Sequence, residues 1–116
     1  MTQEYIGTKQ VTAWEQEKDG QPGYAVKYAD GYVSWSPKDV FEQAYIAIGH
    51  VAHRPAQQQR VIGERAQLGD KLKKLDDFGS SEDFRNLEPI EQARLRHQAR
   101  IMEEYLACLD ARIAAF

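Results

Sequence analysis

The sequence predicts an α+β protein: a small N-terminal antiparallel sheet with a short helix, followed by a long antiparallel helical hairpin. Three observations predict it. Short runs rich in β-branched and aromatic residues occupy the first third. An Asp-Gly pair at Asp30-Gly31 separates two of them. From Pro55 to Phe116, apolar residues recur at alternating steps of four and three, the spacing that keeps one seam on one side of a helix.

Taken in order, Tyr5 to Trp14 reads as the first strand, and Glu15 to Gly23, polar with Asp19-Gly20 and Pro22-Gly23, as a loop. Tyr24–Tyr28 and Tyr32–Trp35 follow as a hairpin. A two-residue Asp30-Gly31 turn, both residues at positive φ, sets Tyr28 opposite Val33 and Val26 opposite Trp35. In that register Tyr24, Val26, Tyr28, Val33 and Trp35 share one apolar face. Ser36 as N-cap, Pro37 at the first helical position and Asp39 at the third start a short helix. Val40, Phe41, Ala44, Tyr45 and Ile48 give it an apolar side to cover the sheet, and Gly49 ends it. A linker at 49–55 leads to the hairpin. Its first helix carries Val61, Arg65, Leu68, Leu72 and Leu75 on the seam, widened by Ile62 and Ala66. Gly79-Ser80-Ser81 breaks that helix, Ser81 caps a single turn through Phe84, and Glu88-Pro89 opens the last helix. Leu95, Ala99, Met102, Leu106, Leu109, Ile113 and Phe116 form the second seam. Each long helix would run roughly 30 to 40 Å, too long for one compact partner to cover, so a second copy is expected. The expected division is 1–53 for sheet and short helix and 54–116 for the hairpin, one structural unit carrying ligand binding and oligomerisation.

With 116 residues, 42% hydrophobic content and a net charge of −3, the chain has a thin core and no bulk affinity for a DNA or RNA polymer. No apolar run long enough for a membrane span and no signal peptide is present, which points to the cytoplasm. Cys108 is alone, so there is no internal disulfide, and it reads as an inert helix-packing thiol. His50 and His53 have one-turn spacing without a third ligand nearby, so no metal and no cofactor are expected. His97 reads as an exposed helix residue, with a role touching phosphate as the alternative, and Asp76-Asp77 as a helix end. No phosphate loop and no catalytic constellation occurs, and an enzyme is not expected.

All arginines lie at position 54 or later, whereas the residues before it carry lysines and a modest acidic excess. Guanidinium is the side chain suited to two-point capture of phosphate, so an anion held by this chain would be gripped by the hairpin. Arg60 and Arg65 stand on the first helix, and Arg94, Arg96 and Arg100 on the second, with Arg96 and Arg100 one turn apart. Arg65, on the seam, is either paired with a carboxylate such as Glu104 or turned toward a bound anion. A solvated face with pairs such as Arg100–Glu104 is the alternative for the others. Trp14, Phe78 and Phe84 are either base-stacking or core aromatics.

Two sets of residues resemble known proteins. The string Asp30-Gly31-Tyr32-Val33-Ser34-Trp35-Ser36-Pro37-Lys38-Asp39-Val40-Phe41, with Tyr5–Lys9 and Gly23–Tyr28 before it, resembles a common phage-encoded domain. Arg60–Leu68, Lys71-Leu72, Leu75, Phe84, Leu87, Glu91-Gln92, Leu95, Gln98, Met102, Tyr105, Leu109, Arg112-Ile113 and Phe116 resemble the helical hairpin shared by the first-described Thoeris anti-defence proteins and the anti-CBASS sponges. Together they resemble the Thoeris anti-defence family. That resemblance implies a phage sponge acting in the cytoplasm of the infected bacterium. It would bind glycocyclic ADP-ribose isomers, and in some members cyclic di- or trinucleotides, without cleaving them. It implies homodimers through the hairpins, in some members homohexamers. Arg96 and Arg100 are the residues it suggests for phosphate or ribose, Trp14, Phe78 and Phe84 for base stacking, and Arg60 and Arg94 for a second nucleotide pocket. A non-enzymatic oligomeric adaptor, or structural phage protein, is the alternative from the residues alone.

Overall fold

The computed structural model describes residues 1–116. In chain order it contains β1 (Thr12–Glu15), β2 (Gly23–Lys27), β3 (Val33–Pro37), α1 (Lys38–Ala44), α2 (Ala56–Gly79), α3 (Glu82–Arg85) and α4 (Pro89–Ala114). The α+β class is borne out. Two compact units result, Met1–Ile46 and Ala47–Phe116.

In the first unit the three strands form an antiparallel sheet in the order β1-β2-β3. β1 is much shorter than the expected Tyr5–Trp14 strand. Lys27, the last residue of β2, pairs with Thr12, and β2 then turns away, so residues before Thr12 find no ladder partner. Tyr5 and Ile6 accordingly stand in solvent. The loop between β1 and β2 contains a two-residue turn in which Asp19 and Gly20 take φ of 52° and 78°. Lys18 and Gln21 exchange both backbone hydrogen bonds around it, at 2.9 Å each.

That turn chemistry had been expected at Asp30-Gly31, where the chain does something else. Gly31 alone takes positive φ there, 90°. Tyr28 oxygen accepts from Gly31 nitrogen, Tyr28 nitrogen donates to Tyr32 oxygen, and Asp30 Oδ1 accepts from Tyr32 nitrogen. These bonds close a three-residue loop of the type that ends in a left-handed glycine. One extra loop residue shifts the register by one: Lys27 pairs with Val33, Val26 with Ser34, and Ala25 with Trp35. A one-residue slip moves side chains to the opposite face. The expected single apolar face is therefore split. Tyr24 and Val26 lie on the face that α1 covers, while Trp35 and Val33 lie on the other with Ala25 and Trp14.

α1 also differs from expectation. Ser36 is held in the sheet opposite Tyr24, so Pro37 becomes the N-cap and no side chain caps the helix. The helix stops at Ala44, well before Gly49, and Tyr45 is already extended at φ −132° and ψ 144°. Beyond Tyr45 there is little to pack against, since Ile46 is exposed, and short helices persist only where packing supports them. What packing exists is aromatic. Phe41 stacks on Tyr24 with centroids 4.3 Å apart, and Tyr45 stacks on Phe41 at 4.8 Å. The Tyr24 hydroxyl donates to Glu42 Oε2 at 2.7 Å, and this bond holds the phenol above its usual pKa.

In the second unit α2 and α4 pack antiparallel. Val61 and Leu72 on one helix and Leu109 on the other are buried, and the remaining expected seam positions are half-buried except Phe116, which is exposed. The connection follows the sequence reading closely. Ser81 Oγ accepts from Phe84 nitrogen at 3.1 Å, capping α3, and Glu88 stands at the N-cap position of α4 without a side-chain cap bond, with Pro89 in the first turn. Gln92, one of the residues that carry the family resemblance, reaches back from α4. Its amide nitrogen lies 3.0 Å from Phe84 oxygen, 3.1 Å from Leu87 oxygen and 3.3 Å from Arg85 oxygen.

Two substitutions test this packing. A Cβ at Gly23 would run into the Trp35 ring and the Ser36 carbonyl, so Gly23→Ala should cost about 1–3 kcal/mol in chemical denaturation. Leu109→Ala, at a residue 1% exposed, should cost about 2–5 kcal/mol by the same measurement.

Candidate functional site on the helical hairpin

The closed end of the hairpin gathers Phe78 from the end of α2, Phe84 from α3, and Arg96 from α4. Ser81 turns the chain so that Phe84 points inward, where it is 5% exposed. Phe78 meets it edge to face, with centroids 6.0 Å apart at 89°. The Arg96 guanidinium carbon lies 5.1 Å from the Phe84 ring centroid, a cation–π placement that positions the side chain, and Arg96 is itself exposed. Of the two phenylalanines, Phe78 is the one with an accessible ring.

Arg100 follows one turn along α4. Its Nη2 lies 3.5 Å from His97 Nδ1, and it forms no ion pair with Glu104 or any other carboxylate. Arg96 likewise has no acidic partner. Arg96, His97 and Arg100 thus form a strip of nitrogen donors on an exposed stretch of α4. Its chemistry suits an anion with several acceptor oxygens.

The seam arginine resolves differently. Arg65 Nε lies 2.8 Å from Asp110 Oδ1, so Arg65 is committed to a carboxylate, and that carboxylate is Asp110 and not Glu104. The Arg65 hydrogen bond holds the Asp110 carboxyl below the usual carboxylate range. Arg94 stands 3.7 Å from Glu91, one turn before it on the same helix. Arg60 has no ion pair. Arg60 lies near the start of α2 and Arg94 near the start of α4, which in an antiparallel pair are opposite ends of the hairpin. Helical rise puts roughly 30 Å between them, so one chain does not bring them together.

Trp14 belongs to the sheet unit, and its indole N–H donates to Gln16 Oε1 at 3.1 Å. His50 and His53 are exposed in the linker, and no group of three His, Cys, Asp or Glu side chains converges on a point. Cys108 is exposed on α4 instead of packed into the seam, because the neighbouring Leu109 takes the inward position. No helix is long and apolar enough to cross a membrane.

A helical hairpin with an unneutralised arginine strip defines a binding scaffold, and comparison with known families agrees. Residues 55–115, more than half of the chain, match the family described as Sequestin, and the chain belongs to that family. The family's name denotes sequestration. Comparisons with curated proteins and with solved structures gave no match.

The Asp110 carboxyl gives a pH test. A carboxyl lowered in the folded state contributes stability above its unfolded pKa of about 4 and loses it as pH falls through the lower folded value. Acid unfolding of the whole chain should therefore begin at higher pH in Arg65→Ala than in the unaltered protein. Circular dichroism followed from pH 6 downward, by about half a unit at a time, checks it.

Proposed function

We propose that the chain is a sponge that binds signalling nucleotides tightly and leaves them intact. The ligands are glycocyclic ADP-ribose isomers, with cyclic di- or trinucleotides as a second class, and the effect is to withhold them from Thoeris or CBASS effectors in a phage-infected bacterium. The observation that carries this reading is the strip on α4. Arg96 and Arg100 stand one turn apart, exposed and free of carboxylates, within the hairpin that places the chain in the Sequestin family. A diphosphate linkage supplies the several acceptor oxygens that such a strip would satisfy. Phe78 supplies an accessible ring for the base, and Phe84 holds Arg96 in place from below.

A nanomolar sponge needs about −12 kcal/mol, more than one exposed strip provides. A second copy would supply the rest. Ile90, Ile101 and Tyr105 are exposed on α4 at 56%, 51% and 43%, and share a helical face with Arg94, His97 and Cys108. Antiparallel pairing of two such faces would bring the Arg60 end of one hairpin toward the Arg94 end of the other. Such a homodimer, or a hexamer built from it, encloses the ligand between copies. The same apolar face would also serve a plain oligomeric adaptor, which binds no nucleotide.

Thermal unfolding with and without a glycocyclic ADP-ribose separates the two. A sponge gains a large shift, and Arg96→Ala and Arg100→Ala each weaken binding by roughly ten- to a hundredfold, the worth of one charged hydrogen bond. Heating the complex should return the messenger unaltered by mass spectrometry. No shift with any isomer or cyclic oligonucleotide leaves the adaptor.

A further inference from the structure

The register of the sheet gives the first unit a site of its own. Trp14, Ala25 and Trp35 stand in one row across β1, β2 and β3. Ala25 is 1% exposed although α1 packs on the opposite face, so the two indoles themselves cover it. Trp35 lies over Gly23, where any Cβ would collide with its ring. Both indole N–H groups are tied to one residue: Trp14 donates to Gln16 Oε1 at 3.1 Å, and Trp35 donates to the Gln16 backbone oxygen at 2.7 Å. The rings are therefore held before any ligand arrives, and an aromatic surface already in place loses little entropy on binding. Trp14 remains 44% exposed and Val33, in the next row, 49%.

The charged side chains that register and ring contact place on this face are lysines. Residues 1–46 contain seven carboxylates and four lysines, so lysine is not in general surplus here. Yet Lys27 lies on the Trp face beside Val33, and the Lys18 ammonium sits 5.7 Å from the Trp35 ring centroid. Glu15 pairs with Tyr24 on the other face, and Glu42 is bonded to the Tyr24 hydroxyl there. Fixed indoles framed by ammonium groups, with Glu15 and Glu42 on the opposite face, suit a flat ring carrying a negative group.

We propose that the outer face of the sheet, centred on Trp14 and Trp35 and framed by Lys18 and Lys27, binds a planar aromatic anion, of which a nucleoside monophosphate is a simple form. The site is independent of the hairpin strip. Within the sheet, Trp14 has Trp35 beside it across Ala25.

The chain has two tryptophans and both lie on this face, so tryptophan emission reports on it alone. Titrating the full-length protein with AMP should quench that emission saturably. Trp14→Ala should weaken binding by roughly fivefold or more, the lower range for losing one stacked ring, while Trp14→Phe restores much of it. Lys27→Glu should weaken it too, and Arg96→Ala/Arg100→Ala should leave the titration unchanged. Circular dichroism establishes that each variant is folded. Flat emission with AMP, a titration unaltered in Trp14→Ala, or one abolished in the double arginine variant overturns the proposal. The last two results leave the hairpin reading untouched.

Discussion

The hairpin depends on a seam that is long and narrow. Val61, Leu72 and Leu109 are its buried contributors, Phe84 is buried at its closed end, and most other seam positions keep part of their surface in water. At ~25 cal/mol per Å² of apolar surface removed from water, so few burials leave two helices of this length barely held together. The Arg65–Asp110 pair supports the seam where a methyl-bearing side chain would otherwise have sat. It is half exposed, and exposed pairs contribute little net energy. Its value is in register: it specifies which turn of α4 faces which turn of α2.

A thin seam has a functional counterpart. A helix that spends only one stripe on its intrachain partner has other faces to offer. α4 uses them in two ways, as an apolar face bearing Ile90, Ile101 and Tyr105 and as the donor strip of Arg96, His97 and Arg100. Apart from Arg96 over the Phe84 ring, neither face is packed within the chain. Groups left unsatisfied within a fold are the groups available to a ligand or to another copy, and this is why the strip, and not the Arg65–Asp110 pair, is the site we propose.

Much of this was legible in the sequence. The seam periodicity placed α2 and α4, and Ser81, Glu88 and Pro89 placed the connection, because capping chemistry and apolar spacing act over a single turn. The Asp-Gly signal was legible in kind but not in place. Both pairs satisfy the local rule, yet Asp19-Gly20 adopts the paired left-handed turn and Asp30-Gly31 closes a longer loop. Choosing between them depends on how β2 aligns with both neighbours at once, which no local pattern encodes. The same slip rearranged the aromatic residues, separating Trp35 from Tyr24 and setting it beside Trp14 across Ala25.

By itself the sequence determined the class of fold, the position of the hairpin and the helix that carries the free guanidiniums, since each follows from periodicity, caps and residue type along a continuous stretch. Only the tertiary structure decided which arginine is spent on a carboxylate and which is left free, which phenylalanine is core, and which tryptophan faces which. Those outcomes turn on distances between residues far apart in the chain. Arg65 and Asp110 are 45 positions apart and meet at 2.8 Å because two helices fold back on each other in one register.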